Sequence, residues 1–320
     1  MRKTGILYLI LLFTTQLATG QDLKVGLLFD QFASVRWEVD ASQLTSEFKK
    51  NGIEVIVKVA HSSLEKQVSQ AQELADEGVK VFVVIAVDGR KSSAILDIAK
   101  SNDILVVAYD RLILDPRVDL YVSYNNLEVG RMQAQAMIDN VKKGNILMMN
   151  GPVADNNAVQ FRKGHLEVLD PLVKSGQITI VDDLVLDTWS DVSALMKLYE
   201  VGPDFSKIDG MLSAIDWFND AAMEYTGDSA MFTKIYMTGQ DPSTATAIKL
   251  KKDIQNMTVC KPIAPLAIKT VELTMAKLNN QKTKGLQKTS VGSDSIDSYL
   301  LTPIYVDKNN VDEYQDEFLK

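Results

Sequence analysis

The chain has 320 residues, of which 46% are hydrophobic, and its 34 basic and 42 acidic side chains give a formal net charge of -8. This acidic balance does not suit a polyanion, which excludes nucleic acid as a partner. Cys260 is the only cysteine, so an intramolecular disulfide is excluded and packing must provide the stability.

The N-terminal segment has the layout of a secretory signal peptide. Arg2 and Lys3 precede a short apolar run over residues 6–13, and small residues follow at positions 18–20. Cleavage after Gly20 would leave Gln21 first and release an exported protein. The alternative is an uncleaved N-terminal anchor, although the apolar run is shorter than the ~20 residues that span a bilayer.

Strand-like and helix-like segments alternate along the rest of the chain. Strands are predicted at residues 24–29, 54–59, 79–86, 104–108, 145–149, 178–184, 210–214 and 234–238, and helices at 36–51, 64–77, 92–101, 128–141, 158–175, 190–200 and 219–225. Several strands are apolar throughout, which is typical of parallel strands covered by helices on both faces. The pattern predicts two Rossmann-like α/β lobes with doubly wound parallel sheets. Disorder is expected only in the C-terminal tail and residues 282–297.

Polar and aromatic side chains follow the predicted strands in both lobes. They are Asp30, Asp88, Asp110, Arg111, Asn150, Asp187, Trp189, Asp216, Trp217 and residues 239–241. Ligands of doubly wound sheets bind at the carboxyl ends of the strands, where such polar groups can bond sugar hydroxyls and aromatic faces can cover C–H surfaces. Taken singly, an aspartate or asparagine here also suits a helix cap, and a tryptophan, above all Trp217, also suits the core.

Little in the sequence supports catalysis. The two histidines, His61 and His165, lie in no metal-binding or triad spacing, and His165 is expected to be solvated or to cap a helix. No nucleophile elbow, phosphate-binding loop or dinucleotide fingerprint is present. Asp110 and Asp241 could face each other as in a glycosidase, but neighbouring cationic residues would hold both ionised. The sequence therefore predicts a binding protein without a cofactor or metal.

Several segments carry a family resemblance. In chain order they are residues 36–37, 108–111, 155–158 with 161–162, 187–189, 239–241, 257–262 and 300–304. Their order and spacing resemble those of the xylose-binding proteins of sugar ABC transporters. The resemblance implies two lobes joined by three crossover segments near residues 124–126, 261–263 and 301–304. The N-terminal lobe would comprise residues 21–124 and 264–300, and the C-terminal lobe residues 125–263 and 301–320.

The resemblance also implies a set of sugar-binding residues. Trp37 and Trp189 would be stacking faces on opposite lobes. The polar groups, from both lobes and the hinge, would be Arg36, Asp110, Arg111, Asn157, Asp241 and Lys261. Asp216 is added as a strand-end residue. Two positions depart from the family pattern. Ile215 stands where an asparagine is usual and cannot bond a hydroxyl, and Cys260 replaces a tyrosine. The preferred sugar is therefore open, with a pentose as the leading candidate.

Together, the signal peptide, the strand-end residues and the resemblance predict an exported, periplasmic, monomeric protein that closes around a monosaccharide. The resemblance implies D-xylose or a related pentose. Its implied partner is the permease of an ABC transporter. A sensor that presents its closed form to a membrane signalling receptor is the alternative, because both partners would contact the outer faces of the closed lobes.

Overall fold

The computed structural model describes residues 23–32 and 35–319, so the predicted signal peptide lies outside the described residues. Within them, no helix combines the length and apolar character needed to cross a membrane. The strands are β1 (Lys24–Phe29), β2 (Glu54–Val59), β3 (Val81–Val84), β4 (Leu105–Tyr109), β5 (Leu120–Tyr124), β6 (Gly144–Asn150), β7 (Ile178–Val185), β8 (Gly210–Ser213), β9 (Tyr236–Met237), β10 (Met257–Cys260), β11 (Gln287–Val291), β12 (Asp294–Leu301) and β13 (Ile304–Asp307). The α-helices are α1 (Val35–Lys50), α2 (Leu64–Asp76), α3 (Ser93–Ser101), α4 (Asn126–Asn140), α5 (Asn156–Lys174), α6 (Asp191–Val201), α7 (Asp216–Thr226), α8 (Thr244–Lys251), α9 (Ile263–Leu278) and α10 (Val311–Tyr314).

The first lobe is built on a seven-stranded sheet with the order β11-β12-β5-β4-β3-β1-β2. All neighbouring pairs are parallel except β11 and β12. Helices α1 and α9 bury apolar residues against one face, and α2 and α3 do so against the other. Strand β3 is buried along its whole length, which accounts for its uninterrupted apolar sequence.

The second lobe is built on a four-stranded parallel sheet with the order β7-β6-β8-β9. Helices α4 and α5 provide the apolar cluster that includes Met137 and Leu169, while α6 and α7 contribute Leu198 and Phe218 to another. An antiparallel pair of β10 and β13 lies beside this sheet. The prediction of two doubly wound parallel sheets is confirmed.

The chain passes three times between the lobes, after β5, after β10 and after β12. These passages are hydrogen-bonded to one another, since the Tyr124 hydroxyl donates to the Pro262 carbonyl at 2.7 Å and the Asn125 N–H to the Leu301 carbonyl at 2.9 Å. The predicted crossover segments therefore lie side by side. The exact residue boundaries of the lobes stay a prediction.

The expectation of disorder in residues 282–297 is wrong for most of that stretch. Residues 287–301 form a hairpin whose turn contains Gly292 at φ +61°, and its second strand pairs in parallel with β5. Ile296 and Ser298 are buried there. The tail is also ordered, because Val311 and Phe318 pack into an apolar cluster with Leu250.

Candidate functional site

Arg36, in the first turn of α1, connects the two lobes. Its guanidinium group donates to Asp110, which follows β4, at 2.5 Å, and to Asp241, which follows β9, at 2.7 Å. A third carboxylate, that of Asp40, lies 3.4 Å from its Nε. All four side chains are buried. Arg36 therefore contacts three carboxylates at the point where the carboxyl ends of the two sheets face each other.

Asp110 has a second partner across the cleft. Its Oδ1 accepts a hydrogen bond from Asn157 Nδ2 at 2.9 Å, and Asn157 Oδ1 accepts one from Asn126 at 2.8 Å. Burial alone would raise the pKa of Asp110, but Arg36, Lys261 and Arg111 outweigh it and lower that pKa below its ordinary value. Asp110 is therefore held ionised, as a hydrogen-bond acceptor.

Asp241 completes the central group with Lys261, which follows β10. Lys261 Nζ lies 3.3 Å from Asp241 Oδ1 and 5.5 Å from the centre of the Phe161 ring. Both Asp110 and Asp241 adopt left-handed backbone conformations, with φ of 58° and 54°. Residues other than glycine rarely adopt this backbone conformation except where the surrounding structure enforces it.

Arg111 forms the outer part of the same group. It donates to Asp30 at 2.7 Å and to the Ala86 carbonyl at 3.2 Å in the first lobe, and its Nε lies 3.1 Å from Asp155 of the second lobe. Burial would lower the pKa of Arg111, but Asp155 and Asp30 raise it above its ordinary value. The ring of Trp37 contacts both arginines, with its centre 5.0 Å from Cζ of Arg36 and 5.3 Å from that of Arg111.

Trp189 borders the group from the second lobe. Its Nε1 donates to Asp155 Oδ2 at 2.9 Å, and its ring stacks on Phe218 with 6.0 Å between centres and 16° between planes. A Cβ atom on Gly151 would lie 2.2 Å from this ring, so glycine is required there. The two predicted stacking faces, Trp37 and Trp189, thus flank one buried polar group from opposite lobes.

Comparison with known proteins identifies the family of this chain. Residues 25–282 match the model of a periplasmic binding protein domain. The chain belongs to the periplasmic binding protein family. It is 35% identical over 303 residues to the D-xylose-binding periplasmic protein of Escherichia coli strain K12, covering 94% of this chain and 92% of that one.

Two further relatives are similar over most of their length. The multiple sugar-binding periplasmic receptor ChvE of Rhizobium radiobacter is 28% identical over 312 residues, covering 90% of this chain and 88% of that one. An ABC transporter solute-binding protein from Clostridium phytofermentans, solved with bound β-D-glucose, superposes with a TM-score of 0.83 at 25% identity over 91% of this chain and 95% of that one. Since periplasmic binding proteins are not enzymes, the prediction of a non-enzymatic role is confirmed.

Asp216 lies apart from the other predicted site residues. Its carboxylate accepts hydrogen bonds from Gln255 at 2.6 Å and from Thr258 at 3.0 Å, and none of the bonds described for it joins the polar group around Arg36. A Cβ on Gly239 would lie 1.8 Å from Asp216 Oδ1, so the carboxylate packs beneath the segment that leads to Asp241. This geometry favours support of that segment over contact with a ligand.

Ile215, just before α7, is buried in the apolar cluster that also contains Phe161 and Phe218 and against which Trp189 packs. It occupies the N-cap position without a side-chain cap. Asn219, a nearby polar residue, already bonds Ser213 and the Thr238 carbonyl.

The expectation for His165 is wrong. The ring is fully buried, its Nε2 lies 2.7 Å from Gln133 Oε1, and burial lowers its pKa to about 3. Gln133 in turn donates to the Gly239 carbonyl at 2.8 Å. The neutral histidine thus helps to fix the segment before Asp241.

A separate groove of about 470 Å³ runs along α5 beside the end of β6, with Arg90 of the first lobe on its rim. Asn150, one of the strand-end residues, lines it, but none of the sugar-binding residues implied by the resemblance does. In the described part of the chain, no group of three or more histidine, cysteine, aspartate or glutamate side chains is placed to hold a metal ion.

Asp216 gives a prediction for pH dependence. Burial raises its pKa to about 7. Between pH 4 and 7 the folded state therefore keeps a proton that the unfolded state has released. Stability falls as the pH rises through that range. We expect Asp216→Asn to gain about 1–3 kcal/mol of unfolding free energy at pH 8 and no advantage at pH 4. Urea denaturation across this range tests it. The exposed Asp220→Asn on the same helix is the control, and an Asp216→Asn deficit at pH 8 would refute the prediction.

Proposed function

We propose that this periplasmic binding protein captures a monosaccharide between its lobes, with D-xylose or a related pentose as the leading ligand, and delivers it to an ABC transporter. The observation that carries the proposal is the buried polar group that joins the lobes at Arg36, flanked by Trp37 and Trp189. A sugar hydroxyl both donates and accepts, so it can replace either partner of the Arg36–Asp241 or Asp110–Asn157 contacts. Charged partners make these hydrogen bonds strong and orienting.

The relatives support a sugar as the ligand. The Escherichia coli relative is named for D-xylose and the Rhizobium relative for several sugars, while the Clostridium neighbour was solved with glucose. The residues proposed to contact the sugar are Arg36, Trp37, Asp110, Arg111, Asn157, Trp189, Asp241 and Lys261. Asp216 is left out because its carboxylate is committed to Gln255 and Thr258.

Export from the cytoplasm is part of the proposal, because the relatives above are periplasmic proteins by name. The predicted signal peptide would be removed and the protein would work as a monomer. Mass spectrometry of the exported protein should find a chain that begins at Gln21, whereas an intact N-terminus in the membrane fraction would contradict cleavage.

A sensor role remains the second candidate, since the Rhizobium relative is named a receptor. Deleting the gene in its host separates the two functions. Loss of pentose uptake supports delivery to a transporter, and loss of sugar-induced transcription with normal uptake supports signalling.

A thermal-shift screen tests the binding function itself. The exported protein is heated with pentoses, hexoses and short oligosaccharides, and a ligand at 100 times its dissociation constant should add ~2.7 kcal/mol of stability. We expect the largest shift with a pentose. A panel in which no monosaccharide raises the melting temperature would reject the function.

Ile215 gives a prediction for specificity. If it replaces an asparagine that serves a hydroxyl, Ile215→Asn should tighten D-xylose binding by about 0.5–1.5 kcal/mol. Asparagine would also cap α7, which raises stability without any ligand, so isothermal titration must be paired with melting of the free protein. Ile215→Val is the control, because valine is also apolar and cannot cap the helix. Weaker D-xylose binding by Ile215→Asn would show that Ile215 is a packing residue outside the polar group.

A further inference from the structure

Asp155 contacts three of the proposed sugar-binding residues, although the strand-end pattern did not select it. It is the N-cap of α5, where its Oδ1 accepts from the backbone N–H of Asn157 at 2.9 Å. Its Oδ2 accepts from Trp189 Nε1 at 2.9 Å and lies 3.1 Å from Arg111 Nε. One oxygen therefore orders a helix, and the other joins a stacking face to a cation of the opposite lobe.

The partners on each side of this carboxylate are fixed. Arg111 is anchored in the first lobe by Asp30 and the Ala86 carbonyl, and Trp189 is held in the second lobe between Gly151 and Phe218. Beside Asp155, the Ala154 carbonyl accepts from the Gly89 N–H across the cleft at 3.2 Å. Asp155 is buried, so its charge is poorly screened. The lobes thus also meet here through contacts separate from the hydrogen bonds of Arg36 to Asp110 and Asp241.

We propose that Asp155 is a positioning residue that couples the stacking face of Trp189 to lobe closure through Arg111, and thereby slows the release of bound sugar. The proposal rests on the sugar-binding function proposed above. Because the indole ring is already held in place, its N–H keeps the carboxylate oriented, and the carboxylate holds the arginine of the other lobe. A sugar stacked on the ring is retained until this contact opens. Opening the cleft then requires separating a buried ion pair, which acts mainly on dissociation.

Asp155→Asn isolates this coupling from helix capping. Asparagine caps a helix as well as aspartate does, so its Oδ1 keeps the bond to the Asn157 N–H. Its amide nitrogen, however, would replace Oδ2, so that it faces the indole N–H of Trp189 donor to donor and the ion pair with Arg111 is lost. Asp228→Asn is the matched control, because Asp228 also caps a helix, through Ala230 N at 3.0 Å, but is exposed.

Stopped-flow fluorescence with D-xylose, or with the tightest binder of the sugar panel in its place, measures both rate constants. We expect Asp155→Asn to release sugar roughly 10- to 100-fold faster, with the association rate within about threefold of wild type. The control should match wild type in both. Equal release from Asp155→Asn and wild type overturns the proposal, whereas a wild-type protein that binds no sugar overturns the binding function first.

The indole N–H resonance of Trp189 gives a second readout that a capping role would not move. In ¹H–¹⁵N spectra, a bond to a carboxylate should shift it downfield, and Asp155→Asn should reverse the shift with or without sugar. Trp189→Phe assigns the peak. If the wild-type resonance already lies at the position of an indole N–H bonded to water, the coupling is absent even if the variant fails to fold.

Discussion

Replacing Arg36 by methionine is expected to abolish sugar binding and to lower the free energy of unfolding by about 3–5 kcal/mol at pH 7. The variant leaves Asp40, Asp110 and Asp241 buried without the cation they share. Burial already raises the pKa of Asp40 to about 6 with Arg36 in place. Without Arg36 the carboxylates would bind protons more readily, so the stability deficit should shrink as the pH falls, while sugar binding stays lost.

Chemical denaturation at pH 7 and pH 5 measures this effect, and isothermal titration measures the binding. Arg131→Met is the matched control, because Arg131 is exposed and its pair with Glu167 at 2.7 Å should contribute less than about 1 kcal/mol. If Arg36→Met still binds sugar at wild-type affinity, Arg36 is a structural residue and the proposed site is elsewhere.

Replacing Trp189 by alanine is expected to weaken sugar binding by roughly 30- to 1000-fold, the effect of removing an aromatic anchor from a desolvated contact. The change removes the proposed stacking face on the second lobe, the contact with Phe218 and the hydrogen bond to Asp155. The sugar-induced change in tryptophan fluorescence should decrease with it, and Trp37→Phe should also reduce that change.

Trp217→Phe is the control for this experiment. In the wild-type protein, the indole N–H of Trp217 donates to the Trp189 carbonyl at 2.5 Å, and its ring packs against the apolar cluster of the second lobe. Trp217 therefore supports the site without belonging to the polar group. Most of the fluorescence change and affinity within about threefold of wild type are expected to remain. Wild-type responses from both Trp37→Phe and Trp189→Phe would refute the proposal that these two rings stack on the sugar.

Much of the fold could be predicted because buried parallel strands have uninterrupted apolar sequences. Strand β1, which is buried after its first residue, begins and ends at the predicted residues. The partly exposed edge strand β2 does so as well, although charged residues interrupt its apolar sequence. Strand β5 was not predicted, although all five of its residues are buried, since its short sequence mixes serine and tyrosine with aliphatic residues. The hairpin of β11 and β12 was also missed, because its polar exposed face resembles a loop and its burial depends on pairing with β5.

The candidate site was predictable only in part. Position after a strand pointed to Asp110 and Asp241, and the structure brings both to Arg36. The same rule selected Asp216, whose partners Gln255 and Thr258 come from a distant part of the chain. Asp155, by contrast, resembles an ordinary helix cap in sequence. Its role depends on which residues face it across the cleft, and no local pattern contains that information.

Isothermal titration of the exported protein with D-xylose tests the central claim most directly. One buried polar group flanked by two tryptophans should give saturable binding of one sugar per chain, with the enthalpy of hydrogen-bond formation prominent. A protein that melts cooperatively yet shows no heat of binding with D-xylose or any other monosaccharide would contradict the account.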